Sequence, residues 1–120
     1  MTKPVGPYTP IVRAGDWLVV SGQIGIADGA LVEGGFDAQL DQAMANLRAQ
    51  LATHGAGLDD VTKTMVFLRH MSDYDRMNER YCDAFGDHRP ARSALGVADL
   101  PLGALVEVEA WAFKPLGSPA

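Results

Sequence analysis

Residues 105–113 (Leu-Val-Glu-Val-Glu-Ala-Trp-Ala-Phe) constrain the fold more than any other stretch of the chain. Their alternation has the period of a β-strand, with Val106, Val108, Ala110 and Ala112 on one side and Glu107, Glu109, Trp111 and Phe113 on the other. The small aliphatic set suits a face packed under helices. The second set mixes carboxylates with large aromatics, a composition odd for a solvated face and at home in an interface. We read that face as buried in an oligomer, its carboxylates lining a cleft or pointing at a neighbouring subunit. An ionised group in low dielectric must find a partner or shift its pKa. Upstream, Arg92 stands in Pro90-Ala91-Arg92-Ser93, just before another apolar run. One cation and two carboxylates placed on or next to sheet are the starting point for a site.

The rest of the chain supplies the other layers. Trp17 to Ser21, a Gly-rich turn from Gly22 to Gly29, and Ala30 to Glu33 read as a hairpin. Leu40, Ala43, Met44, Leu47 and Leu51 recur at the spacing of one helical face, with Asp37 as N-cap and Gly55 as the stop. Val61 to Leu68 is a strand. Ser72 and Asp75 form a capping-box-like start to a second helix with the stripe Tyr74, Met77, Tyr81 and Phe85, closed by Gly86. Strands over Ser93–Ala98 and Leu105–Phe113 complete the order ββαβαββ, an α+β fold with both helices on one face of the sheet.

At 120 residues the chain is read as a single domain over 1–120, large enough for a core without disulfide or metal. No apolar run approaches the ~20 residues that span a bilayer, and Met1-Thr2-Lys3-Pro4 leads into no signal-peptide core. The single cysteine, Cys82, suits a reducing cytoplasm and reads as a buried structural thiol. A net charge of −5, with ten scattered Lys and Arg, opposes a nucleic-acid partner. No membrane partner is expected either. His54, His70 and His88 lie on different elements without metal-ligand spacing, Ser21 and Ser93 have no evident His–Asp partners, and the Gly-rich turn matches no phosphate-binding pattern.

Six blocks together resemble a known family. Gly6-Pro7-Tyr8, Val20-Ser21-Gly22-Gln23-Ile24, Lys63-Thr64-Met65-Val66-Phe67-Leu68, Asn78-Glu79-Arg80-Tyr81, Pro90-Ala91-Arg92-Ser93 and Leu105-Val106-Glu107-Val108-Glu109-Ala110 stand in the order and spacing of the RidA (YjgF-type) family, over about residues 4–114. The resemblance implies a chorismate-mutase-like fold forming a homotrimeric barrel, with sites in the clefts between subunits. It also implies a deaminase that hydrolyses 2-aminoacrylate and related imines (the 2-iminobutanoate/2-iminopropanoate type) to 2-oxo acids and ammonia, with no metal and no cofactor.

Residue by residue, the resemblance puts Arg92 on the substrate carboxylate, and the chemistry agrees, because a guanidinium grips a carboxylate through two parallel hydrogen bonds. The competing role for Arg92 is an ion pair with a local Asp or Glu. Glu107 matches the glutamate beside the attacking water, where a carboxylate can deliver water and pass protons to the leaving ammonia. Its competing role is a salt bridge to Arg92 that holds the assembly, and for Glu109 structural pairing is the reading. Tyr8 matches a tyrosine at the site mouth, or simply packs a turn. Ser21 and Gly22 match a backbone approach to ligand, or a bulge. Asn78 matches a helix asparagine reaching the neighbouring pocket, or a solvated residue. Ala94 departs from the family's common cysteine; its amide still serves substrate binding, whereas thiol-linked regulation is lost. The loop from Gly86 to Pro90 is short for the family. These departures motivate two rivals: a dedicated catabolic deaminase of a larger unsaturated amino acid, and a non-enzymatic trimer that binds 2-oxo acids or acts as a chaperone. Ribonuclease activity, also attributed to the family, is opposed by the acidic charge balance.

Overall fold

The computed structural model describes residue 4 and residues 6–117. Strands β1 (Ile11–Ala14), β2 (Trp17–Gln23), β5 (Val61–Leu68), β6 (Ala91–Gly96) and β7 (Val106–Phe113) form one mixed sheet. Two short strands, β3 (Ile26–Ala27) and β4 (Ala30–Leu31), stand apart as a hairpin of their own. The helices are α1 (Gly35–Ala52) and α2 (Tyr74–Phe85). The sheet order is β1-β2-β7-β5-β6; only β5 and β6 run parallel, and α2 is their crossover. Within this sheet the order ββαβαββ holds, but its first pair differs from the expected one. Trp17–Ser21 pairs with Ile11–Ala14 and with β7, whereas Ala30–Leu31 pairs with Ile26–Ala27. The cause is local: Asp28 and Gly29 both have positive φ (55° and 82°), the backbone of a two-residue hairpin turn, so the chain reverses there rather than across the whole Gly-rich stretch.

The period of β7 divides the molecule. Val106, Val108, Ala110 and Ala112 are fully buried under the helices, with Leu18, Val20, Val66 and Leu68 on the same face. Against them α1 lays Leu40, Met44, Leu47 and Leu51, and α2 lays Met77, Tyr81 and Phe85. The one polar pair in this layer is satisfied, the hydroxyls of Thr64 and Tyr81 lying 2.7 Å apart. Removing any of the buried leucines would cost roughly 2–5 kcal/mol.

Three local expectations change. Helix α1 begins two residues before Asp37, behind Gly34, so Asp37 sits in the first turn rather than at the N-cap. There its carboxylate accepts hydrogen bonds from Arg76 (Nε, 2.8 Å) and Arg80 (3.1 Å), tying the exposed faces of α1 and α2 together; Arg76 foremost holds its pKa below the ordinary value. Helix α2 starts at Tyr74 after a short 3-10 turn and has no side-chain cap, so Ser72 plays no capping-box role. Cys82 is exposed, because it falls outside the Met77–Tyr81–Phe85 stripe that α2 buries.

The opposite face of the sheet carries Val12, Trp17, Val19, Phe113 and Leu95, all exposed, with Met65, Phe67 and Trp111 half-buried among them. Trp17 and Phe113 pair across strands, ring centroids 5.2 Å apart and edge to face. Both helices lie on the other side.

Candidate functional site

The pairing of β2 with β7 slips between Val20 and Gln23, so Ser21 and Gly22 form a bulge opposite Glu109. A bulge bends its strand and re-aims the side chains beside it. Here it opens a cavity of about 260 Å³ between the end of β2, the inner face of α1 and the start of β7. Tyr8, Ser21, Gly22 and Glu107 all line it, so four of the seven residues singled out in the sequence come together.

Glu107 is the carboxylate of this cavity. Its carboxylate lies against Gly22 so closely that a Cβ there would stand 2.5 Å from Cδ and 2.6 Å from Oε2. Glycine is what lets the carboxylate occupy the wall of the cavity. Burial, reinforced by the like charge of Glu109, raises the pKa of Glu107, and burial does the same for Glu109. A carboxylic acid with a raised pKa is suited to exchanging protons near neutral pH. The hydroxyl of Ser21, also buried, has no hydrogen-bond partner among the described residues.

Arg92, Asn78 and Ala94 lie elsewhere. Arg92 is level with Thr64 on the parallel neighbour strand and so shares the helix face of the sheet. There it donates to the Tyr74 hydroxyl (3.2 Å) and approaches the Met77 sulfur (3.5 Å), its guanidinium over the rings of Tyr81 and Tyr74 at 5.0 and 5.6 Å. Two aromatic faces hold a cation without neutralising it, and among the described residues no carboxylate forms an ion pair with Arg92. Ala94 packs beside Val66 against the core, and the side-chain oxygen of Asn78 on α2 is buried without a partner among the described residues. Glu107 is level with Phe67 on the opposite face. Two strand spacings and three residues of rise separate Arg92 from Glu107, about 14 Å between Cα atoms, with the side chains on opposite faces. Within one chain the two do not meet, which removes both the local ion pair for Arg92 and an intrachain salt bridge to Glu107.

Three polar residues of the cavity, Gln23, Asn46 and Gln50, were given no site role in the sequence reading. A signal for the last two exists. Gln39, Asn46 and Gln50 recur at spacings of seven and four, a polar line beside the apolar stripe of α1. Gln39 accepts the Leu105 amide (2.8 Å), and Asn46 donates to the carbonyls of Ile24 (3.0 Å) and Ile26 (2.9 Å), so the line pins the β2–β3 connection and the start of β7 to the helix.

Comparison with known proteins adds a family. Residues 1–114 match the family model described as Endoribonuclease L-PSP. A RutC family protein of Pyrococcus horikoshii is 42% identical over 114 residues, 93% of this chain and 90% of that protein. The human 2-iminobutanoate/2-iminopropanoate deaminase is 38% identical over 112 residues, 92% of this chain and 82% of its own. The crystal structure of RidA from an Antarctic Psychrobacter bacterium superposes with a TM-score of 0.89 at 36% identity, covering 92% of this chain and 91% of that one.

Proposed function

The chain belongs to the endoribonuclease L-PSP (YjgF/RidA) family, and from that premise we propose that it is an imine deaminase, hydrolysing 2-imino acids and their enamine tautomers to 2-oxo acids and ammonia. The observation that carries this reading is the Glu107 carboxyl, held with a raised pKa in the wall of a cavity large enough for a small imino acid. Ionised, Glu107 accepts a proton from a water attacking the imine carbon. The water oxygen bonds to that carbon and the proton passes to the imine nitrogen; the hydroxyl proton of the resulting carbinolamine then follows to the nitrogen through Glu107 as the carbon–nitrogen bond breaks, giving the 2-oxo acid and ammonia. Tyr8 and Ser21 line the same cavity.

The substrate carboxylate needs a cation. On this reading Arg92 of a second copy supplies it, so that the active unit is an oligomer, a homotrimer by analogy with the family, with sites between subunits that also take Asn78 and the Ala94 amide. Two features support the arrangement: an apolar sheet face beside the cavity is exposed, and Arg92 is braced by aromatic rings without a carboxylate partner. Neither metal nor cofactor takes part. The lone cysteine favours the cytoplasm as its place of action. Ribonuclease chemistry, which the family description names, comes second because the cavity would set the Glu107 carboxylate against a phosphate and the chain carries a charge of −5.

A coupled assay tests the reading. A serine or threonine dehydratase generates the enamine, and 2-oxo acid formation is followed with and without the protein. Acceleration by the wild type and not by Glu107→Gln is expected. No acceleration of any 2-imino acid would overturn the proposal.

A further inference from the structure

The polar side chains of the cavity differ in how far their hydrogen-bonding capacity is used. Asn46 is spent: its amide donates to two carbonyls and its oxygen accepts from Gln42 at 2.9 Å. Gln50 is not. It lines the cavity at only 4% exposure, and its side-chain amide makes no hydrogen bond among the described residues. The Ser21 hydroxyl, on the facing strand and lining the same cavity, is also buried without a partner. The Gln50 amide is therefore free to pair with whatever fills the cavity, and an occupant that displaced water from it without pairing would cost free energy.

We propose that Gln50 and Ser21 form a side-chain subsite for a primary amide, and that the preferred substrate is a 2-imino acid of the asparagine type rather than one with an alkyl side chain. The inference rests on the deaminase reading above and narrows it to a substrate class. A primary amide presents one acceptor and two donors, the complement of what Gln50 offers, and the Ser21 hydroxyl can serve either need. An alkyl side chain of equal size would displace water from both groups and return no hydrogen bond, the situation in which a polar site rejects an apolar isostere. An anionic side chain would share the cavity with Glu107.

The test compares two isosteres. An L-amino-acid oxidase supplies the imines of asparagine and leucine, whose side chains differ only in an amide against an isopropyl group. Each hydrolysis consumes one water and releases one ammonia and one 2-oxo acid. With one such hydrogen bond worth about a factor of ten, the wild type should favour the asparagine imine by at least tenfold in kcat/KM, and Gln50→Leu should lower that ratio about tenfold. A ratio near one, or a ratio that Gln50→Leu leaves in place, would overturn the subsite. Calorimetric binding of 2-oxosuccinamate and 4-methyl-2-oxopentanoate reads the same preference without turnover. If neither imine is hydrolysed but 2-oxosuccinamate binds more tightly and loses that advantage in Gln50→Leu, the subsite stands and the deaminase reading fails. If 2-iminopropanoate is hydrolysed with no preference for the amide in either measurement, the deaminase reading stands and the subsite fails.

Discussion

Gly22→Ala separates the position of the Glu107 carboxylate from the stability of the fold. The new Cβ would stand 2.5 Å from Cδ, 2.6 Å from Oε2 and 2.8 Å from Cγ of Glu107. Carbon atoms in contact rest about 3.5–4.0 Å apart, so the carboxylate must retreat by about 1 Å. Every atom in the clash belongs to the end of one side chain with a cavity in front of it, and Gly22 lies outside the left-handed region, so the backbone accepts alanine. The stability change should stay under about 1 kcal/mol, a few degrees in Tm. Catalysis is less tolerant: a 1 Å displacement of a positioned group costs on the order of 10²-fold. The assay is kcat on enzymatically generated 2-iminopropanoate beside a thermal melt. Gly96→Ala is the control, because its Cβ would meet the flexible Met71 side chain at 2.8 Å, away from the cavity; it should leave kcat within twofold. If Gly22→Ala keeps wild-type kcat, the carboxylate's placement does not govern turnover and the reasoning fails.

Gly25→Ala should do the reverse of Gly22→Ala. Its Cβ would lie 2.6 Å from the Gln39 carbonyl oxygen and 2.7 Å from its Cα, backbone atoms that cannot swing aside, so a loss of about 2 kcal/mol or more is expected in the urea midpoint; an unchanged midpoint contradicts it. Arg92→Ala should lower kcat/KM by on the order of 10²-fold or more, since two charge-assisted hydrogen bonds are lost, and Arg92→Lys should recover little because lysine lacks the planar fork; full activity in the lysine variant would count against carboxylate gripping. Glu109→Gln removes the like charge that helps raise the pKa of Glu107. Glu107 then ionises at lower pH, so the acid limb of kcat/KM moves down the pH scale. A limb that stays put or moves up would show that Glu109 does not act on it.

The sheet was legible because its last strand is unambiguous: a period of two with aliphatics on one side leaves a single way to lay helices on it. The helical stripes were nearly as plain: Met77, Tyr81 and Phe85 are buried as their spacing requires, whereas Tyr74, read as part of the same stripe, is exposed and meets Arg92 instead. Local punctuation misled. The run Gly22–Gly29 looks like one turn, yet it contains a bulge at Ser21–Gly22 and a separate tight turn at Asp28–Gly29, which only strand pairing distinguishes. Asp37 looks like a cap because acidic residues favour both the cap and the first turn; the arginines of α2 settle which. The cavity was half legible. Glu107 stood out as a charge in an apolar strand, whereas Gln50 was hidden among the ordinary polar residues of a helix. The distance between Arg92 and Glu107 was not legible at all, since proximity in sequence order says nothing about which face of a sheet each side chain takes.

The proposed deaminase needs Glu107 of one copy and Arg92 of another. Co-expressing Arg92→Ala and Glu107→Gln chains with different tags, and purifying the species that carry both, measures it directly. In a mixed closed trimer, whichever chain is in excess, about one cleft in three keeps both groups intact. The mixed trimers should recover about a third of wild-type deaminase activity while each variant alone is nearly inactive. A mixed oligomer no more active than its parents would contradict it.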